Sequence, residues 1–339
     1  MKILKRLLLA VFAAAKNTLL ILSTFVFCFL CFEAALRGYH AYVKYRSPYQ
    51  HASRPDLIFT VKPNSRSHQV SDGFRRRYSE RKENDVTRIL IFGDSVTFGY
   101  HIEKEDIYSA NLERLLNSGS KKFEVVNYGI SQYSTVQEVA LAEAYVSKMS
   151  PDLIILGYVL NDPNPDGSVN DFFKRDKARS LAGNWLLERI KLLTNNREED
   201  PVLAGCEFFD YYSRMHCSVQ KWGAVQNAFQ RLADLSAQYD FPVLLVIFPM
   251  FSSEPGATFS EYPWVEVHEQ VRNEGIKNGF EVLDLLPDFS RYEVQDFKLA
   301  DHDRLHPNKF GHEVAAKAIY EKLKRTGIAE TDNSLYITK

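Results

Sequence analysis

Four short stretches of the 339-residue chain carry residue types that could do chemistry together. The first is Gly93-Asp94-Ser95-Val96-Thr97-Phe98-Gly99. A serine between glycines on a tight turn can present its hydroxyl to a crevice, because glycine lets the chain turn and lets a substrate come close. The second is Asp303-Arg304-Leu305-His306-Pro307-Asn308. A serine hydroxyl is a weak nucleophile until a base takes its proton, and histidine held by a carboxylate is the most frequent base. Asp303 and His306 can lie on one side of a loop, with Asp301 as the alternative orienting acid. The remaining stretches are Asn127-Tyr128-Gly129-Ile130-Ser131 and Asn161-Asp162. A backbone N–H at Gly129 and the side-chain amide of Asn161 could both donate to an oxyanion. Each stretch has an ordinary structural reading as well. Serine beside glycine is turn chemistry, and Pro307-Asn308 is a helix-start signal. Their combination is what points to acyl transfer by a serine nucleophile.

These residues need strands that end beside one another. From Thr87 onward, short β-rich apolar runs alternate with helical ones. The sequence predicts strands over 88–92, 123–127, 152–158, 241–248 and 281–285. It predicts helices over 106–117, 136–148, 222–239, 266–278 and 309–325. Such alternation implies right-handed βαβ units, a parallel sheet covered on both faces, and hence an α/β fold built as a three-layer α/β/α sandwich of five strands. Ligands in such sheets bind outside the carboxyl ends of the strands. Ser95, Gly129 and Asn161 all follow a predicted strand end.

With these blocks in place the chain resembles the SGNH hydrolases of the GDSL esterase/lipase superfamily. The matching blocks are GDSVTFG around Ser95, NYGIS around Gly129, Asn161-Asp162, and DRLHPN ending in His306. The resemblance runs from about Thr87 to Arg325, with Val96 standing where the family's name has leucine. A softer match joins Lys62-Pro63 and Asp72-Gly73-Phe74-Arg75 to the lead-in of membrane-anchored bacterial members. The resemblance implies a triad of Ser95 nucleophile, His306 base and Asp303 orienting acid. It also implies an oxyanion hole from the Ser95 and Gly129 N–H groups and the Asn161 side chain, a strand order of 2-1-3-4-5, and no cofactor.

The N-terminus is a separate matter. Lys2, Lys5 and Arg6 precede an apolar run, and a second run from Leu19 to Leu36 is broken only by Ser23, Thr24 and Glu33. It shows no polar face from Leu19 to Phe32 and comes close to the roughly 20 residues that a spanning helix needs. A cleavage site is poorly formed, because Glu33 would occupy the -3 place before Ala34-Ala35. An uncleaved anchor is therefore expected, and the cationic flank assigns the N-terminus to the cytoplasm and the body of the chain to the far side. The expected organisation is an anchor over 1–37, an irregular lead-in over 38–86, a hydrolase domain over 87–327 with an insert over 163–221, and a tail over 328–339.

Composition narrows the partners. Forty-two Lys and Arg stand against 43 Asp and Glu, for a net charge of -1. No basic field exists to attract nucleic acid, and Arg75-Arg76-Arg77 reads as a solvated face. No spaced cluster suggests a metal site. Cys206 and Cys217 are either a disulfide or two buried thiols. Asp94 is expected to point away from the crevice and hold the serine loop, His312 to pack, and His101 to stand exposed. The expected activity is ester hydrolysis on a small-molecule, glycan or lipid ester, with membrane contact through the N-terminal helix. O-acyl transfer by the same residues and a non-catalytic scaffold of the same fold are the alternatives.

Overall fold

The computed structural model describes residues 2–52, 54, 57–62, 78–164, 179–193, 210–252 and 256–328. The chain divides into two units, residues 1–50 with 172–198 and residues 51–171 with 199–339. In the first unit, α1 (Lys2–Arg46) is a single 45-residue helix. It runs nine residues past the boundary expected at 37, because nothing between Gly38 and Arg46 breaks a helix before Pro48. From Val11 onward it is long and apolar enough to cross a membrane, and its most apolar stretch is not buried. Ser23 and Thr24 return their hydroxyls to the Leu20 carbonyl at 2.8 Å each, so neither adds an unpaired polar group to this face. The unit also contains α5 (Leu181–Leu193), described further below.

The second unit is built on a five-stranded parallel sheet. In chain order its strands are β3 (Val86–Gly93), β4 (Lys122–Gly129), β5 (Leu153–Tyr158), β6 (Val243–Ile247) and β7 (Glu281–Asp284), after the short strands β1 (Tyr49–His51) and β2 (Phe59–Val61) of the lead-in. The spatial order is β4-β3-β5-β6-β7. Counted within the sheet this is 2-1-3-4-5, as the resemblance implies. Register brings Gly93 level with both Gly129 and Gly157, so the ends of β3, β4 and β5 open on the same edge.

Helices cover the sheet as the apolar periodicity predicts. They are α2 (Ser95–Phe98), α3 (Tyr108–Leu116), α4 (Thr135–Met149), α6 (Tyr211–Cys217), α7 (Val219–Tyr239), α8 (Val265–Lys277), α9 (Leu286–Phe289) and α10 (Lys309–Arg325). Helix α3 packs against α10, and α4 against α7. Strands β5 and β6 are buried at every position, which only a sheet covered on both faces allows. β6 starts at Val243 rather than 241 because Pro242 has no N–H for the ladder, although its carbonyl accepts from Ile154. α7 starts three residues before Trp222, where the Ser218 hydroxyl caps it by accepting from the Lys221 N–H.

At the amino ends of the strands Arg88, 1% exposed, is fully engaged. It donates to Glu124 at 2.6 Å and to the carbonyls of Glu80, Met149 and Arg81. A buried guanidinium satisfied in this way fixes the base of the sheet.

Candidate active site

The turn that carries Ser95 follows from its own sequence. β3 ends at Gly93, Asp94 caps α2 by accepting the Val96 N–H at 2.8 Å, and Ser95 is the first helical residue. A Cβ at Gly93 would stand 2.0 Å from the Thr97 hydroxyl, so only glycine lets α2 fold back so tightly on the strand end. At the first position of a helix the Ser95 N–H has no intrahelical acceptor.

The C-terminal loop meets this turn. The Ser95 hydroxyl lies 2.9 Å from His306 Nε2. On the other side of the ring, His306 Nδ1 lies 2.9 Å and 3.1 Å from the two Asp303 carboxylate oxygens. The same carboxylate accepts the backbone N–H groups of Leu305 and His306 at 3.0 and 2.9 Å, which clamps the loop. Burial pushes the Asp303 carboxyl up, but these two N–H donors and the His306 ring outweigh it and hold it below the usual range. An ionised Asp303 accepts Nδ1–H and leaves Nε2 free to take the serine proton. Asp301, the alternative orienter, is exposed, and no hydrogen bond joins it to His306.

Two points need correction. The Gly129 N–H is not free in this structure: it donates to the Asn127 side chain at 2.8 Å and would have to leave that acceptor to serve an oxyanion. Glycine is required here for packing: a Cβ would stand 2.3 Å from the Phe98 nitrogen. Asn127 is committed in turn, its amide donating to the Thr97 carbonyl and the Ser109 hydroxyl. The second correction concerns Asp94, which does not point away from Ser95. While one oxygen caps α2, the other lies 3.2 Å from the Ser95 hydroxyl and 3.5 Å from the Asn161 amide nitrogen. Burial raises the Asp94 carboxyl above its ordinary range against the Val96 N–H and its other partners. One hydroxyl proton cannot serve both His306 and Asp94, so the two acceptors compete for it.

Asn161 reaches the same corner from the end of β5, and its side-chain oxygen is buried without a hydrogen-bond partner. Its neighbour Asp162 accepts the Val159 N–H at 3.1 Å and the Thr135 hydroxyl at 3.3 Å. Behind it lies Glu138 on α4, whose carboxyl oxygens are buried without a hydrogen-bond partner. Burial, reinforced by the Asp162 and Asp94 charges, pushes the Glu138 carboxyl well up.

Sequence reasoning did not single out Tyr100, whose ring stands 4.7 Å from the His306 ring at 39°. It also passed over Arg304, whose guanidinium lies over Tyr212 and Trp264 at 5.7 and 5.2 Å. Arg304 lines a cavity of about 430 Å³ together with Met250, Ser252 and Tyr262. Tyr100 immediately follows the glycine motif, but nothing in its spacing says which way the ring turns.

The other singled-out residues fall outside the reacting corner. His312 is buried, accepts the Tyr108 N–H at 3.1 Å and stacks on that ring, as a packing residue should. His101 is exposed. Cys217 is disulfide-bonded, whereas Cys28 and Cys31 are free. Cys206 lies outside the described residues, as do the lead-in match over 63–75, the arginine run 75–77 and the tail from 329. Among the described residues, no group of three or more His, Cys, Asp or Glu is arranged to hold a metal ion.

No curated protein sequence matches the chain. Several solved structures resemble it at low identity. TesA has a TM-score of 0.46 and 15% identity, covering 70% of this chain and 99% of its own. A lipase/acylhydrolase from Enterococcus faecalis has a TM-score of 0.43 and 18% identity, covering 71% and 96%. A catalytic mutant of the acetylxylan esterase Axe2 from Geobacillus stearothermophilus has a TM-score of 0.44 and 17% identity, covering 70% and 94%. The sequence model of GDSL-like lipases and acylhydrolases matches residues 91–314, from the middle of β3 into α10. The chain is therefore a hydrolase of the GDSL-like lipase/acylhydrolase family.

Proposed function

We propose that the chain hydrolyses carboxylic esters through an acyl-enzyme on Ser95, with His306 as base and Asp303 as its orienting acid. The observation that carries this reading is the unbroken line Asp303–His306–Ser95, with contacts of 2.9 Å on both sides of the imidazole. Neutral His306 donates Nδ1–H to Asp303 and accepts the Ser95 proton on Nε2 as the oxygen attacks the ester carbonyl. His306 then returns that proton to the leaving alcohol. Water repeats the sequence on the acyl-enzyme and releases the acid. The Ser95 N–H and the Asn161 amide are donors for the tetrahedral oxyanion, with the Gly129 N–H as the third once it exchanges the Asn127 side chain for the oxyanion.

The same reading makes α1 a membrane anchor with the hydrolase unit outside the cytoplasm. Its support is the exposed apolar face of α1 together with Lys2, Lys5, Arg6 and Lys16 near its start. An outward-facing esterase at a membrane would meet O-acetylated glycans or lipid esters.

A panel of p-nitrophenyl esters of increasing acyl length, run beside acetylated glycans with Ser95→Ala as the control, tests the activity and the substrate class together. Turnover by wild type and none by Ser95→Ala is the expected result, and preference for acetyl esters would select the glycan. Full turnover by Ser95→Ala would remove Ser95 from the mechanism. A C-terminal reporter that works only outside the cytoplasm tests the orientation and should be active.

A further inference from the structure

The anchor helix carries one acidic residue within its apolar length, and that residue is not idle. Glu33 accepts the Ser180 hydroxyl at 2.9 Å, the Leu181 N–H at 3.1 Å and the Ala182 N–H at 2.7 Å. These N–H groups belong to the first turn of α5, so a side chain of α1 caps α5 from outside its own sequence. Arg37 completes the joint, pairing with Glu33 at 2.7 Å and donating to the Arg179 carbonyl at 3.0 Å. One turn further along α5, the Trp185 ring meets Phe32 edge-on at 5.3 Å.

These contacts also give a direction. As the chain advances through Arg179, Ser180–Ala182 and Trp185, its partners on α1 move back through Arg37, Glu33 and Phe32. The first turn of α5 therefore heads toward the apolar part of α1, not toward its polar C-terminal end. Ala182 is buried, but most of the large apolar side chains that follow are not. Trp185 is 45% exposed, Leu187 59% and Leu193 86%, with Leu186 and Ile190 between. Thirteen residues make a helix about 20 Å long, too short to span a bilayer but suited to lie in its surface. Arg189 folds over the Trp185 ring at 5.4 Å, an aromatic–cation pair of the kind that sits at headgroup level.

We propose that α5 is a second membrane contact, an interfacial helix tied to the anchor by Glu33 and seated in the headgroup–acyl boundary of the leaflet where α1 emerges. The inference rests on the anchoring reading of α1 and adds the lipid surface as the occupant of the α5 apolar face. That face is continuous with the exposed apolar surface of α1, through Phe32 and Trp185. What covers one covers the other.

The full chain in phosphatidylcholine vesicles tests this. Cys28 and Cys31 are changed to serine, and an environment-sensitive fluorophore is placed on Leu187→Cys or, as a second probe of the same helix, Ile190→Cys. Val26→Cys reports on α1, and the exposed Ile276→Cys on α8 is the aqueous control. Lipids brominated at shallow acyl positions should quench the probes at 187 and 190 at least about two-fold and leave 276 unquenched. Quenching at 26 without quenching at 187 or 190 would overturn the inference while leaving the anchor intact. No quenching at 26 would overturn the anchor reading itself, and the inference with it. A blue-shifted but unquenched probe at 187 would identify a protein surface or a second copy as the occupant and would equally overturn the inference.

Discussion

The hydrolase unit contains two histidine–aspartate pairs of nearly the same local geometry and quite different surroundings. His306 holds Asp303 at 2.9 Å through Nδ1 and meets the Ser95 hydroxyl at 2.9 Å through Nε2. His268 holds Asp284 at 2.9 Å through Nδ1 and meets the Tyr262 hydroxyl at 2.9 Å through Nε2. The His306 side chain is 17% exposed at the edge of the sheet, whereas His268 is 1% exposed. Tyr262 is also spent, because it accepts the Met250 N–H at 3.0 Å. A histidine–carboxylate pair becomes a base for catalysis only where its far nitrogen faces a nucleophile that a substrate can reach. The sealed pair is architecture: its relay ends at Met250, whose neighbour Phe251 donates to the Arg304 carbonyl in the loop between Asp303 and His306.

This contrast can be broken by mutation, most sharply at the reactive pair. Ser95→Ala and His306→Ala should each lower kcat/KM for a short ester by about 10⁴-fold or more, with unfolding free energies within about 1 kcal/mol of wild type. Assays paired with denaturant unfolding check both numbers. Asn161→Ala should lower kcat by about 100- to 1000-fold if its amide is an oxyanion donor as proposed. The sealed pair should respond in reverse. His268→Leu leaves the Asp284 carboxylate and the Tyr262 hydroxyl without their ring and should destabilise the fold by about 3 kcal/mol. Its kcat should stay within about ten-fold of wild type.

Acid extends the contrast to a third histidine. His216 donates Nδ1–H to the Tyr212 carbonyl at 2.8 Å and meets the Tyr158 hydroxyl at 2.7 Å, a pattern satisfied by the neutral ring. Burial lowers it from 6.5 to about 4. The unfolded chain therefore takes up this proton first. The stability from a neutral His216 is complete above about pH 6.5 and falls by about 3 kcal/mol on acidification to about pH 4. Asp303 and Asp284 behave otherwise. Burial raises both, but their hydrogen bonds win and hold them below the usual range. Their contribution persists down to the ordinary carboxylate value of about 4 and is lost only as the pH falls through their lowered values. Urea titrations from pH 7 to 4 should show the decline in wild type and a flatter profile in His216→Gln. Glu138 acts with the opposite sign. Its raised carboxyl favours the protonated form in the fold, so stability falls as pH rises above the ordinary carboxylate range, and Glu138→Gln should remove that slope.

Much of this was legible in the residue order. Apolar runs of strand length gave away the five strands, and Ser95 and Asn161 just past strand ends, with His306 before the last helix, marked the candidate corner. Other features were not legible, for reasons of local geometry. Whether the Gly129 N–H faces a crevice depends on the competing Asn127 side chain two residues earlier, and spacing does not encode that competition. Tyr100 is placed by contact with His306, about 200 residues away in sequence, and Arg304 by contacts with Tyr212 and Trp264, about 90 and 40 residues away. Glu33 read as a flaw in an apolar helix until its partners, nearly 150 residues later in sequence, came into view.

Activation of Ser95 by His306, and by no other histidine, is tested most directly by peptide mapping after treatment with a fluorophosphonate probe. One adduct is expected, on the peptide carrying Ser95, kept in His268→Leu and lost in His306→Ala. An adduct elsewhere in the chain, or labelling of Ser95 at full rate without His306, would contradict it.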